Sequence, residues 1–525
     1  MTSSALKILG YDDLVAKVEA LREEGKIVVL THGVFDLIHP GIVRHLEESK
    51  KQGDILVATV IRDRDVRRGP GRPVFPEELR VQTLAALAMV DYACIVDDDI
   101  PFECVGRIAP DIFAKGQDHN KRDKQIHDKI LEEERGLAYG KAKVFETSGF
   151  AFSTTGFLNE FLDIYPEDTK HYLRKIGEQH SFERIKQALD SLLSNKVLVI
   201  GDGIIDEYHY CTPMGRAGKA PLVVHKYLNY EVFAGGAFAT ANHVAGICGD
   251  VTLVTLLGES ESREDFVRAC FKPNVAPKFF YRKDNPSIIK KRYVAAQTNQ
   301  KLFEVNHLND SYLPRDEEEA VIAFIREEAP KCDLVLASDF GHGLISPRII
   351  EVLRESSRVL CVNTQTNGAN TGFNLITKYS RPDFVCLDEA EARLAMKSRG
   401  EIKEIIRDLA DRMDTERLIV TLGKKGASGV GRGEKPHFAP ILSTKVVDTI
   451  GAGDAVFSYV APLFSLGLPT DLLVFLGNVV GALAVKIVCN KRSVEKHEVL
   501  EFVHALLSSG AAGMCAQAPN QDQAP

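Results

Sequence analysis

A chain of 525 residues is too long for one hydrophobic core and asks for two to four domains. Its 45% hydrophobic and 26% charged content is ordinary for soluble globular protein, and a net charge of −8 with no basic, aromatic-interleaved stripe excludes a nucleic-acid surface. No run of about 18 apolar residues predicts a membrane span, the opening Met1-Thr2-Ser3-Ser4-Ala5-Leu6 has no signal-peptide character, and ten singly scattered cysteines argue against zinc and disulfides and fit a cytoplasmic protein.

Along the chain, helical apolar spacing at Leu14, Val15, Val18 and Leu21 predicts an N-terminal helix within residues 1–24. Strands at residues 27–30, 54–60 and 92–96 alternate with helices, one from about Ile42, and predict a doubly wound parallel α/β domain over residues 25–165. Residues 166–193 are polar and helix-prone and form the expected helical connector. From Lys196 the alternation resumes in a second doubly wound parallel domain over residues 194–507. Stretches at 222–228, 231–233 and 288–304 are β-rich without an intervening helix, which predicts a small sheet projecting from that domain. Residues 508–525, rich in Ala, Gly, Gln and Pro, are expected to be a disordered tail.

In the first domain, Thr31-His32-Gly33-Val34-Phe35-Asp36-Leu37-Ile38-His39-Pro40-Gly41 follows a strand and precedes a helix, where α/β sheets bind ligands. The basic loop Arg67-Arg68-Gly69-Pro70-Gly71-Arg72-Pro73 suits a triphosphate, Lys115-Gly116 follows a short apolar strand, and Ser153-Thr154-Thr155 offers hydroxyls and helix N–H groups to a phosphate. In this order the motifs resemble the cytidylyltransferase-like nucleotidyltransferases, in particular the adenylyltransferase half of bifunctional ADP-heptose synthases. That resemblance implies attack of a sugar 1-phosphate on the α-phosphorus of ATP or CTP with release of pyrophosphate. It makes His39 catalytic and gives nucleotide binding to Gly33, Phe35, Asp36, Gly41, Arg72, Lys115, Ser153, Thr154 and Thr155. One position departs: the family's His-x-Gly-His reads His39-Pro40-Gly41-Ile42, and losing such a donor costs on the order of 10²–10³ in rate. His45, one turn on, and His32 are the candidate substitutes.

In the second domain the most informative stretch is Asp448-Thr449-Ile450-Gly451-Ala452-Gly453-Asp454, followed by apolar Ala455-Val456-Phe457. Two glycines allow a tight turn, the helix behind it points N–H groups at an anion, and an aspartate there can take a proton from a hydroxyl. That combination is phosphotransfer chemistry. Upstream, residues 197–206 read as a buried strand running into Gly201-Asp202 and ending on Asp206; Gly235-Gly236 opens a helix carrying Asn242; residues 419–426 are a strand breaking into a glycine turn. The four motifs resemble the ribokinase (PfkB) family of sugar kinases over residues 194–505.

This second resemblance implies Asp454 as general base with Gly451, Ala452 and Gly453 as anion hole. It gives the sugar to Asp206, Gly235, Gly236 and Asn242, a phosphate already on the substrate to Lys290 and Arg292, and the nucleotide to Thr421, Gly423, Gly426 and Asn478. It also implies ATP, Mg²⁺, and a lid sheet through which a homodimer forms. The family's Asn-x-x-Glu reads Asp388-Glu389-Ala390-Glu391, leaving Asp388 and Glu391 as metal ligands with one added negative charge. The usual Asp-Pro-Lys strand end reads Asn363-Thr364-Gln365-Thr366-Asn367, polar and uncharged, which predicts a substrate unlike the standard heptose phosphate.

Together the halves read as a bifunctional cytoplasmic enzyme that activates sugars, in the reverse domain order to the bacterial heptose enzyme. Its partners are a sugar or sugar phosphate and a nucleoside triphosphate, with no nucleic acid and no membrane. The alternatives are a working kinase with a degenerate first domain, and a scaffold in which neither half turns over.

Overall fold

The computed structural model describes residues 5–66, 73–97, 101–116, 142–147, 165–366, 368, 370–443 and 446–511. The chain divides into two compact units, residues 1–174 with 504–525 and residues 175–503.

In the first unit, β1 (Val28–Gly33), β2 (Ile55–Ile61), β3 (Tyr92–Val96), β4 (Ile112–Gly116) and β5 (Lys143–Thr147) form an all-parallel sheet in the order β3-β2-β1-β4-β5. Central strands of such a sheet are covered on both faces, which is why Val28, Val29 and Leu30 are consecutive apolar residues, all buried. One face is covered by Leu14, Val18 and Leu21 of helix Tyr11–Glu23 and by Cys104, Val105 and Ile108 of helix Pro101–Ile108. The other is covered by Leu46 of helix Pro40–Lys50 and by Val81 and Leu84 of helix Glu77–Ala85. The N-terminal helix is therefore part of this core, not a separate segment.

The second unit contains β6 (Lys196–Gly201), β7 (Gly203–Arg216), β8 (Val223–Gly236), β9 (Asp250–Gly258), β10 (Val275–Arg282), β11 (Ile289–Ala295) and β12 (Gln300–His307). It continues with β13 (Leu334–Asp339), β14 (Leu360–Thr364), β15 (Phe384–Asp388), β16 (Arg417–Thr421), β17 (Ala427–Gly431) and β18 (His437–Ala439). Nine strands form the main sheet in the order β10-β9-β6-β13-β14-β15-β16-β17-β18, parallel except for the last two pairings. A separate four-stranded sheet, β12-β11-β7-β8, is the projecting sheet expected from the β-rich stretches.

Three boundaries differ from expectation. The stretch read as one strand ending on Asp206 is two strands in two sheets, because Asp202 breaks the run and Gly203 passes under the Phe238 ring, 2.2 Å from where a Cβ would lie. Asp206 thus sits inside β7. Helix Lys496–Ala511 also continues four residues into the expected tail. Helix Phe182–Ser191, predicted as connector, belongs to the second unit and buries Ile185 and Leu189. Among the described residues no helix is long and apolar enough to cross a membrane.

Arg80 is 1% exposed and ties the loops around β1 together. Its Nε donates to the Phe75 carbonyl at 2.9 Å, Nη1 to that of Val34, and Nη2 to the Ile61 carbonyl and the Asp63 carboxylate at 2.7 Å. Arg80→Met keeps the bulk but strands three carbonyls, so it should destabilise the first unit by about 2–4 kcal/mol. Urea unfolding would register this as a lower midpoint of one transition, and an unchanged midpoint would contradict it.

Candidate active site

A cavity of about 830 Å³ lies in the second unit, lined by residues from the carboxyl ends of β14, β15 and β16, by the turn at 449–454 and by the projecting sheet. Helix Ala452–Ser465 starts there with Gly451 as its N-cap at φ 82°, a conformation glycine adopts without strain. A Cβ on Gly451 would also meet Asn490 Oδ1 at 2.1 Å. The turn therefore packs directly on the Asn490 amide, and Gly451, Ala452 and Gly453 at the start of the helix line the cavity.

Asp454, in the first turn of that helix, is 4% exposed. Gln365 Nε2 donates to its Oδ1 at 2.5 Å. Burial and the neighbouring Asp206 carboxylate push the Asp454 carboxyl up to about 7, against the pull of the Gln365 hydrogen bond and the Lys290 charge. A carboxylate poised near neutrality at the end of a helix is suited to general base catalysis.

Asp206 comes from the projecting sheet, where β11 and β12 bring it charged neighbours. Arg292 contacts Asp206, and its Nε forms an ion pair with the Glu304 carboxylate at 2.7 Å. Gly235 lies behind Asp206 on β8, where a Cβ would fall 2.1 Å from Oδ2, so it makes room for the carboxylate and does not line the cavity. Gly236, Lys290 and Arg292 do line it. Asp448 fastens the same sheet to the glycine turn: it accepts from Lys301 Nζ (2.5 Å), the Tyr208 hydroxyl (2.8 Å), and the N–H groups of Ile450 and Cys489 (both 3.1 Å). Burial works against its charge, yet these hydrogen bonds and the Lys301 ammonium hold its carboxyl below the usual range.

At the other end, Thr421 closes β16 and Gly423, Lys424 and Gly426 form the turn after it. Ile441, Leu442, Ala482 and Val485 add an apolar wall beside Asn478, whose Nδ2 donates to the Pro440 carbonyl at 2.5 Å. The arrangement offers a flat apolar slot next to a glycine turn and a helix N-terminus.

Three expected roles are corrected. Asn242 is outside the cavity: its Nδ2 donates to the Cys270 carbonyl (2.9 Å) and its Oδ1 accepts from Lys272 N–H (3.1 Å), so it braces a loop. Asp388 and Glu391 line the cavity but form a helix capping box, not an open pair of metal ligands. Asp388 Oδ1 accepts from Glu391 N–H (2.7 Å), while the two Glu391 oxygens accept from Asp388 N–H (3.0 Å) and Thr366 N–H (3.1 Å). Burial and the Asp388 charge push Glu391 up to about 8 despite those donors. Asp36, in the first unit, is buried with Oδ1 accepting from Val74 N–H (2.6 Å) and Phe75 N–H (3.1 Å), so it pins a loop.

In the first unit the sheet order reverses between β1 and β4, and Gly33 and Lys115 sit at the carboxyl ends of those strands, where such sheets bind ligands. Phe35 turns the chain at φ 48°. His39 caps helix Pro40–Lys50, its Nδ1 accepting from Gly41 N–H at 3.1 Å. Ile42 packs with Phe35 and Ile38 on the apolar cluster around Leu46. His45 does not replace the missing histidine. Its ring nitrogens pair with Thr31 Oγ1 and Thr147 Oγ1, both at 2.8 Å, and burial lowers it to about 4, so it stays neutral. His32 Nδ1 pairs with Thr59 Oγ1 at 3.0 Å. Arg72, Ser153, Thr154 and Thr155 lie outside the described residues.

Glu304, Asn490 and the bond from Gln365 to Asp454 were not anticipated as site features. Glu304 reaches the site through strand register opposite Arg292, while Gln365 and Asn490 meet the turn from loops distant in sequence, which no local pattern announces.

Comparison with known proteins agrees with the two-part layout. The family model "pfkB family carbohydrate kinase" matches residues 194–488, and "Cytidylyltransferase-like" matches residues 30–146. Curated relatives named bifunctional protein HldE include one from Methylobacillus flagellatus, 40% identical over 121 residues (23% of this chain, 25% of that protein). Another, from Syntrophotalea carbinolica, is 35% identical over 168 residues (30% and 33%), and one from Wolinella succinogenes is 24% identical over 323 residues (60% and 66%). The matches thus span between 25% and 66% of these relatives' lengths. Solved structures similar in part include Escherichia coli phosphofructokinase-2 in complex with fructose-6-phosphate (14% identity, TM-score 0.49, 59% of this chain and 99% of that one). Arabidopsis thaliana ribokinase complexed with ribose and ATP gives 16% identity and a TM-score of 0.46 over the same shares. With the kinase model matched over more than half its length, the chain belongs to the pfkB family of carbohydrate kinases.

Proposed function

We propose that this chain activates a sugar in two steps, with the second unit transferring the γ-phosphoryl group of ATP and the first forming a nucleotide sugar. The observation that carries the reading is the buried Asp454, raised to about 7, at the amino end of a helix that opens into the cavity. Asp454 accepts the proton of the acceptor hydroxyl as its oxygen attacks the γ-phosphorus, and ADP leaves. The N–H groups at Gly451, Ala452 and Gly453 stabilise the charge on the phosphoryl group in transit. Asp206 accepts from sugar hydroxyls, and Thr421, Gly423, Gly426 and Asn478 hold the nucleotide.

Magnesium commonly uses one or two protein carboxylates, its other ligands being waters and substrate phosphates. With both Glu391 oxygens taken, Asp388 at the cavity wall is the residue that would hold it, and the ion would offset phosphate charge. The projecting sheet exposes Tyr227, Tyr230, Phe303 and Val305, which supports pairing with a second copy through that face. A cytoplasmic location fits ATP as the phosphoryl donor.

In the first unit a sugar 1-phosphate would attack the α-phosphorus of ATP or CTP at the carboxyl ends of β1 and β4, releasing pyrophosphate. A second reading, a working kinase beside a nucleotide-binding or structural first unit, is favoured by one observation: Ile42 is turned to the core and His45 is spent on two threonines.

The base assignment predicts that kcat/KM for phosphoryl transfer rises about tenfold per pH unit below about 7 and levels off above it, because Asp454 acts only when ionised. Asp454→Asn should flatten that limb and lower kcat by about 10²–10⁴-fold; a variant keeping both the limb and its midpoint would remove Asp454 from the role. A pyrophosphate-release assay on the full chain separates the two readings of the first unit. Release by the wild type with ATP or CTP and a sugar 1-phosphate supports the bifunctional enzyme, and Ile42→His should then accelerate it by about 10²–10³-fold. No release from either protein favours the second reading.

A further inference from the structure

The acceptor end of the cavity holds three carboxylates, Asp206, Glu304 and Asp454, against two cations, Lys290 and Arg292. Arg292 has the planar fork that suits a phosphate, but that fork is already occupied. It contacts Asp206 and is ion-paired through Nε with the Glu304 carboxylate at 2.7 Å, with its side chain 11% exposed. The Arg292–Glu304 pairing follows from strand register, the two residues being directly opposite on antiparallel β11 and β12. A cross-strand charge pair of this kind belongs to the sheet itself, so Arg292 cannot turn to a ligand without leaving the buried Asp206 carboxylate uncompensated.

Lys290, 6% exposed, is then the cation left at this end. It lies close enough to Asp454 to act on its charge, which puts it near the phosphoryl group in transit. The further cation in the cavity lining, Lys424, belongs to the Gly423–Lys425 turn at the nucleotide end. The rest of the acceptor wall includes the Asn490 amide, which pairs with hydroxyls and carries no charge.

We infer that the acceptor is an unphosphorylated sugar, and that Glu304 determines this specificity by neutralising Arg292 and excluding an acceptor that already bears a phosphate. This deepens the kinase reading of the same site and rests on it. The sugar hydroxyl gives its proton to Asp454, a new O–P bond forms to the γ-phosphorus, the bond to the ADP oxygen breaks, and the products are a sugar monophosphate and ADP. A phosphorylated acceptor would add close to two negative charges to a pocket negative in balance, against Lys290 as the one cation at this end, among the described residues, that forms no ion pair.

The test is ADP release by the full chain with Mg-ATP, comparing D-mannose and D-glycero-D-manno-heptose with mannose 6-phosphate and the heptose 7-phosphate. The neutral member of each pair should have a kcat/KM at least about 100-fold higher, the size of effect that like-charge juxtaposition produces. Glu304→Gln should narrow the preference by at least about tenfold, through a lower KM for the phosphorylated member. The wild-type comparison decides the matter even if that variant fails to fold. Preference for the phosphorylated acceptors would overturn the inference and leave the kinase reading standing. Turnover of neither class would overturn both.

Discussion

Two carboxylates, Asp454 and Asp206, face each other's charge in one poorly hydrated pocket, and the rest of the second unit is arranged around that constraint. Burying like charges together is unfavourable unless each is matched, and each is matched by a different device. Asp454 has the Gln365 amide and the start of a helix. Asp206 has Arg292, shared with Glu304, and a glycine behind it where any side chain would collide. What matching leaves over is a carboxyl near 7 on Asp454, a residual instability that suits it to act as a base.

The projecting sheet does more than cover the cavity. Alternation along β7 sends Asp206 and Tyr208 to the inner face and His209 to the outer, where it stacks on Tyr230 and Tyr293 at ring-centroid distances of 5.4 and 5.1 Å. Tyr208 and Lys301 then grip Asp448, the first residue of the glycine turn. A shift of the sheet by one residue would reverse every inner side chain and break that grip, so the order of the sheet and the geometry of the glycine turn are coupled.

Much of this was legible in the chain. The glycine turn before an apolar helix, the alternation of strands and helices, and the helix-free β stretches are local patterns, and local patterns survive into the fold. The Asp454 position, the two parallel sheets and the projecting sheet follow from them. Contacts set by tertiary packing were not legible: Arg292 with Glu304 across two strands, and Gln365 with Asp454 and Asn490 under Gly451 from loops. Motif matching erred where a side chain of the right type serves the backbone instead of a ligand. Glu391 closes a helix cap with both its oxygens, Asn242 braces a loop and Asp36 pins one, because N–H groups near each carboxylate or amide compete for it. In the first unit, the loss of a histidine at Ile42 was readable, but the commitment of His45 to Thr31 and Thr147 required the packed structure.

The central claim is that the constellation around Asp454 moves a phosphoryl group from ATP onto a sugar hydroxyl. Phosphorus NMR of the full chain incubated with Mg-ATP and a neutral aldose tests it most directly, because the fate of the γ-phosphorus is read without any coupling enzyme. The account predicts a phosphomonoester resonance of the sugar growing in step with ADP. ATP consumed with only inorganic phosphate appearing, or ATP left intact, would contradict it.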